Sequence, residues 1–190
     1  MSLVVVITGP SGVGKGTLIA ALRGRIGGLR LSISATTRPP RPGEVDGVDY
    51  FFLERERFDE LAGQGAFVEH AEYAGERYGT LREQLEPRPG DSAVLLEIEV
   101  QGARQIRDQL PDALQVFISP PSAEDLRARL EARGTDSPET IERRLAAAAS
   151  EIDARDEFAR VIVNDDLETA TDELEATVRE ALDGALDSSP

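Results

Sequence analysis

Residues 3–17 read LVVVITGPSGVGKGT. The run Leu3–Thr8 is continuously apolar or β-branched and has no polar face, so it belongs in a parallel sheet covered on both sides. It leads directly into Gly9, Pro10, Ser11, Gly12, Val13, Gly14, Lys15, Gly16 and Thr17, which fits G-x-x-x-x-G-K. Between a buried strand and a helix that starts near Gly16, such a loop curls its backbone N–H groups toward an anion. The helix N-terminus adds partial positive charge, and Lys15 reaches the β- and γ-phosphates. The chain therefore reads as an α/β fold built around a phosphate loop, with a nucleoside triphosphate as ligand. One position departs from the usual pattern: Gly16, not Ser or Thr, follows Lys15, so Thr17 or bridging waters would have to serve Mg²⁺.

Further apolar runs at Ala93–Val100, Gln115–Ile118 and Arg160–Val163 are each followed by a helical pattern, which predicts βα repetition and a parallel sheet. The last helix carries Leu174, Val178, Leu182 and Leu186 at intervals of four, with acids filling the rest. Two stretches break the rhythm. Residues 34–52 are rich in Pro, Gly and Arg and lead to short alternating segments at Phe67–Tyr73 and Arg77–Thr80, which suits a small antiparallel insertion. Ser122 can cap a helix running through Arg133, and Ser137 with Pro138 can start a second, predicting a helical hairpin before Arg160–Val163.

A chain of 190 residues supports one domain with an insertion, and a net charge of −15 argues against nucleic acid or an anionic membrane as partner. Cysteine is absent, so disulfides and thiolate metal sites are excluded and a reducing cytoplasm is the default location. No apolar run approaches the ~18 residues of a membrane span, and Leu3–Ile7 lacks the basic flank of a signal peptide. The charge is unevenly distributed. Residues 1–43 hold Lys15, Arg23, Arg25, Arg30, Arg38 and Arg41 and no acid; the first acid is Glu44, and Lys15 is the one lysine. Arg38 and Arg41, three apart on a Pro-stiffened segment with no local acid to neutralise them, form either a second phosphate site or a solvated basic loop.

The segments SISATTRPPRPGEVDGVDYFF, FVEHAEYAGERYGT, LEIEVQGA, RGTDSPETIERRL and VNDDLE, in this order behind the phosphate loop, resemble the signature segments of guanylate kinases over nearly the whole chain. The resemblance implies a P-loop kinase core with a parallel sheet flanked by helices, a small antiparallel GMP-binding insertion and a helical lid. It divides residues 1–190 into a core (1–33, 89–120 and 158–190), a GMP-binding part (34–88) and a lid (121–157). It also implies ATP and GMP as substrates, with GMP, and dGMP beside it, phosphorylated to GDP at the expense of ATP and with Mg²⁺ as cofactor. Carried over position by position, Arg38, Arg41, Tyr50 and Tyr78 would hold the GMP phosphate, and Ser34, Glu69, Thr80 and Glu97 would meet the base. Chemistry agrees with the second set. Guanine presents its ring N–H and amino group side by side to a carboxylate such as Glu69, and its carbonyl oxygen to a hydroxyl such as Ser34 or Thr80, whereas adenine has an acceptor where guanine has the ring N–H.

Glu97 and Glu99 alternate with apolar residues at the end of a predicted strand, where open α/β sheets bind ligands, and their spacing puts both carboxylates on one face. In the family the second position is commonly Asp and organises the metal's water shell, so Thr17 and Glu99 are the metal candidates, acting through water. On the first lid helix Arg133 continues the Leu126/Leu130 face within about 60°. On the second, Arg144 flanks the seam of Ile141, Leu145, Ala148 and Ile152, while Arg143 points away. The resemblance singles out the same pair as closing on the ATP phosphates, and Asn164 and Asp165 as facing the adenine. Because a phosphate oxygen of GMP is itself the nucleophile, no general base is needed; His70 has no catalytic role, and Lys15, Arg38, Arg133 and Arg144 are the catalytic set. Two alternatives stay open on sequence: a noncatalytic guanylate-kinase-like module that binds proteins, disfavoured by the intact phosphate loop, and a kinase for another nucleoside monophosphate. Both a monomer and a homodimer fit the chain.

Overall fold

The computed structural model describes residues 3–73, 75–132 and 137–187, with side chains through residue 185. Arg133 and the side chain of Leu186 lie outside the described residues. In chain order the elements are β1 (Leu3–Thr8), α1 (Lys15–Arg25), β2 (Leu29–Leu31), β3 (Ala35–Thr36), β4 (Phe51–Phe52), α2 (Arg55–Gly63), β5 (Phe67–Tyr73) and β6 (Glu76–Leu81). They continue with β7 (Ala93–Glu97), α3 (Val100–Gln109), β8 (Leu114–Ser119), α4 (Ala123–Ala132), α5 (Pro138–Asp153), β9 (Arg160–Val163) and α6 (Leu167–Asp187).

Five strands form a parallel sheet in the order β2-β7-β1-β8-β9, with β1 at its centre. Alternation along β1 explains its unbroken apolar sequence. Val5 and Ile7 pack with Leu18 and Leu22 of α1 and Leu174 and Val178 of α6. Val6 packs on the other side with Val94, Leu96, Ile106, Phe117 and Phe158. Each face buries side chains worth about 1.5–3 kcal/mol apiece, so a polar residue at Val5, Val6 or Ile7 would cost one of the two layers. The run Arg160–Val163 differs: it is the sheet's edge, and Val161 and Val163 are 41% and 50% exposed.

The insertion is a second sheet ordered β4-β3-β6-β5. It is antiparallel between β5 and β6 and between β3 and β6, but the short β3/β4 pair is parallel. Phe58 of α2 stacks on Phe67 of β5 at a centroid distance of 4.4 Å and closes its small core with Ala35. The free edge of β5 is closed by α3. Gln105 accepts from the His70 N–H and donates to the His70 carbonyl, and Gln109 donates to the Val68 carbonyl. These three bonds straddle Glu69 and fix its strand against the core. The α4/α5 hairpin forms as the capping residues predict: Ser122 and Ser137 accept the N–H groups of Asp125 and Thr140, and Leu126, Leu130, Ile141 and Ala148 make a separate apolar core.

Candidate active site

The phosphate loop leaves β1 and enters α1 one residue earlier than its sequence suggests, at Lys15. Gly14 caps that helix in the left-handed region, φ 99°, and a Cβ there would lie 2.6 Å from the Asn164 amide nitrogen, so only glycine suits the position. Asn164 is buried and donates through Nδ2 to the Val13 carbonyl at 2.7 Å; Asp165 beside it is exposed. Arg129 of α4 joins this anchor, donating to the carbonyls of Val13 at 3.2 Å and Asn164 at 2.7 Å. Lys15 is 7% exposed and folds back on the loop, its Nζ donating to the Gly9 carbonyl at 2.5 Å and to Pro10 at 3.3 Å. Its ammonium stands 4.0 Å from Glu99 Oε1.

From Lys15 a cavity of about 290 Å³ extends to the insertion, bringing Pro10, Ser11, Gly12, Gly14 and Gly16 of the loop into one space with Ser34, Arg38, Arg41, Tyr50 and Tyr78. Glu69, Glu97, Glu99 and Arg144 line it too. Gly9, Val13, Thr17, Thr80, Asn164 and Asp165 do not; Thr17 is exposed on α1, whereas Thr80 is fully buried. Tyr50 and Tyr78 meet edge to face at 6.2 Å, and burial raises the Tyr50 hydroxyl's pKa, so it stays a donor. Arg38 lies 5.3 Å over the Tyr50 ring. The absence of a local acid does not hold in three dimensions. Glu44, six residues on, turns back and takes the Arg38 guanidinium with both carboxylate oxygens at 2.9 Å.

Glu69 is 4% exposed. Burial pushes its carboxyl up to about 7, opposed by the hydrogen bond from the Thr80 hydroxyl at 2.7 Å. Thr80 therefore orients the carboxylate with the one proton it has, so that of Ser34 and Thr80 only Ser34 lines the cavity. Glu97 and Glu99 do not share a strand: β7 ends at Glu97, and Glu99 is the N-cap of α3 with extended backbone. The Ile98 N–H still bonds the Ile7 carbonyl, so the chain stays beside the sheet for one more residue and both carboxylates reach the same cavity. Glu99 Oε2 is buried and, among the described residues, meets no donor other than the neighbouring Glu151 carboxyl. Behind it stands Glu151 of α5, whose carboxyl is raised by burial and by the adjoining Glu99.

On the hairpin, Arg144 lines the cavity, Arg127 pairs instead with Glu142 and Glu131, and Arg143 reaches Thr140. His70 is exposed, edge-on to Phe58. Sequence reasoning missed Glu44, Arg129 and Glu151. Glu44 carried a signal, being the first acid after a basic run. Arg129 lies about 60° from Leu126 on the helix, but its carbonyl partners come from distant segments. Glu151 had no such signal.

A family model described as Guanylate kinase matches residues 1–181. Similar proteins include a guanylate kinase from Synechococcus sp. (strain CC9311), 56% identical over 171 residues that cover 90% of each chain. Another is that of Rubrobacter xylanophilus, 48% identical over 181 residues and 95% of each chain. Among solved structures, guanylate kinase from Anaplasma phagocytophilum superposes with a TM-score of 0.74 at 34% identity, covering 94% of this chain and 85% of its own. A gluconokinase from Sinorhizobium meliloti 1021 shares the fold alone, at 19% identity and a TM-score of 0.54 over 99% of this chain and 98% of its own. With a phosphate loop and a carboxylate-lined insertion opening into one cavity, and a family match that runs from the first strand into the last helix, the chain belongs to the guanylate kinase family.

Proposed function

We infer that this chain transfers the γ-phosphoryl group of ATP to GMP, releasing ADP and GDP. The observation that carries the assignment to GMP is Glu69: a buried carboxylate, fixed by Thr80 and by the α3 glutamines, facing a cavity whose other wall holds Arg38, Arg41, Tyr50 and Tyr78. A carboxylate there accepts the ring N–H and amino group of guanine and faces a lone pair of adenine, leaving a buried group unpaired. Such a mismatch is worth about 10⁴-fold in selectivity. Ser34 and Glu97 complete the base pocket, and the arginines and tyrosines hold the acceptor phosphate.

Lys15 withdraws from the Gly9 and Pro10 carbonyls to meet the β- and γ-phosphates of ATP, while the loop's N–H groups cradle them. Asn164 and Asp165 flank the adenine side, where Arg129 ties α4 to the loop. Residues 34–88 act as the GMP-binding part and 121–157 as a lid. Closure of the lid brings Arg144 and Arg133 onto the transferring group and excludes water, which otherwise competes as acceptor. The acceptor oxygen is already deprotonated, so catalysis is positioning and charge neutralisation. The buried Glu99 oxygen in this cavity, beside a second carboxyl at Glu151, suits a hard cation. Glu99, with Thr17 through water, would hold Mg²⁺, which neutralises phosphate charge when bound. The reaction runs in the cytoplasm.

The test is a coupled ADP-release assay over GMP, dGMP, AMP, CMP and UMP. GMP and dGMP should turn over far faster than the rest. Equal rates for all bases would sink the assignment.

A further inference from the structure

Within the acceptor loop, one half-buried carboxylate makes three hydrogen bonds to the two arginines proposed for the phosphate. Glu44 Oε1 accepts from Arg38 Nη2 at 2.9 Å; Oε2 accepts from Arg38 Nη1 at 2.9 Å and from the Arg41 backbone N–H at 2.6 Å. The Glu44 N–H returns to the Arg41 carbonyl at 3.0 Å, closing the turn. Arg38 is held on further sides. Its Nη1 also donates to the Pro39 carbonyl at 2.7 Å, and the guanidinium lies over the rings of Tyr50 and Phe52 at 5.3 and 5.9 Å. A two-point fork fixes the plane of a guanidinium as a single contact cannot.

Two roles fit a carboxylate on an arginine that serves a phosphate. It is either an internal competitor that the phosphate displaces, or a support that stays in place. The geometry separates them. Arg38 and Arg41 line the cavity, and Glu44 does not, so it grips the guanidinium from outside the space a phosphate would enter. Its third bond, to the Arg41 backbone, ties together the two residues whose side chains must converge. We propose that Glu44 is a positioning residue for acceptor binding: it fixes the plane of Arg38 and the turn carrying Arg41 so that both donors meet the GMP phosphate without first being ordered. The pairing cancels one positive charge, and the fixed geometry offsets the lost attraction by removing the rotamer entropy that a free arginine would lose on binding.

The proposal rests on Arg38 holding the acceptor phosphate, and the experiment separates the two. Glu44→Gln, Glu44→Asp, Arg38→Ala and the Glu44→Gln/Arg38→Ala double variant are compared for KM of GMP, KM of ATP, and inhibition by guanosine, which lacks the phosphate. Losing a charge-assisted hydrogen bond of this kind corresponds to about a tenfold to hundredfold effect. Glu44→Gln should therefore raise the KM for GMP by that factor, with the KM for ATP and the guanosine inhibition constant within about twofold of wild type. Glu44→Asp, charged but a methylene shorter, should fall between. In the Arg38→Ala background Glu44→Gln should add nothing further. A lowered GMP KM would make Glu44 a competitor, an unchanged one would make it a bystander, and guanosine binding weakened in parallel would make its role merely structural; each overturns the proposal. If Arg38→Ala itself leaves the GMP KM unchanged, the reading of Arg38 fails instead.

Discussion

Gly102 offers a perturbation in which stability and specificity should separate. It is the third residue of α3, where a Cβ would lie 2.4 Å from Glu69 Oε2 and 3.1 Å from its carboxyl carbon. Glu69 reaches the cavity because this turn of the helix has no side chain. In Gly102→Ala the contact must be relieved, and the only movable part is the carboxylate, which rotates away from the Thr80 hydroxyl now 2.7 Å from it. The lost hydrogen bond costs about 1 kcal/mol. Replacing glycine by alanine in a helix returns about 0.5–1 kcal/mol, so the melting temperature should change by only a few degrees. Guanine recognition has no such compensation. Two hydrogen bonds to a charged acceptor, at about 1.5–3 kcal/mol each, lose their geometry, and the KM for GMP should rise by about 10²-fold or more while that for ATP holds. Steady-state kinetics with both substrates, beside a thermal melt, measure this directly. A GMP KM within threefold of wild type in a folded Gly102→Ala protein would mean that Glu69 does not read the base.

Two further outcomes follow from the same cavity. Lys15→Ala should abolish turnover while leaving GMP binding by calorimetry nearly intact, since Lys15 serves the triphosphate; collapse of GMP affinity would merge the two phosphate sites into one. Glu69 supplies a pH dependence. Its carboxyl, raised by burial to about 7 from an ordinary 4.5, is protonated in the ligand-free protein below neutrality. Guanine needs both its oxygens as acceptors, so the proton must leave on binding. Affinity is thus full above about pH 7 and falls about tenfold per unit below it. Guanosine inhibition between pH 5.5 and 8 measures this without the titration of the GMP phosphate, and a flat profile would refute it.

Much of the core was legible because its signals are local. An unbroken β-branched run can only be a doubly covered strand, and Ser122, Ser137 and Pro138 announce helix starts through bonds made within a single turn. The insertion was less so. Its strands β3 and β4 are two residues long, too short for any periodicity to register, and α2 was not anticipated. The reading of Glu97 and Glu99 reached the right cavity through the wrong element: alternation continues past the strand's end because the backbone stays extended up to the helix cap. Arg38 looked unpaired because charge was counted upstream, where no acid exists, and its partner approaches from the other side of a turn. Asn164 and Arg129 show the general limit. Their bonds to Val13 span 151 and 116 residues, and no pattern of neighbours encodes them.

The net charge of −15 would repel a nucleotide triphosphate if it acted at long range, so the site's electrostatics must be local. Within the cavity Lys15, Arg38, Arg41 and Arg144 face Asp49, Glu69, Glu97 and Glu99, and signs alone nearly cancel. What distinguishes the two ends is pairing. Glu69 is engaged by the neutral Thr80 hydroxyl, which suits it to the neutral donors of a base. Arg38 is held by an anion outside the cavity and presents a fixed fork within it. Lys15 rests on carbonyl dipoles, a weaker hold than an ion pair at contact distance, with Glu99 4.0 Å away. At physiological ionic strength screening acts over about 8 Å, so exposed acids such as those of α6 count for less than charges lining the cavity. On the proposed assignment an acidic protein binds two polyanions because each phosphate meets donors whose counter-charges are already placed behind or beside them.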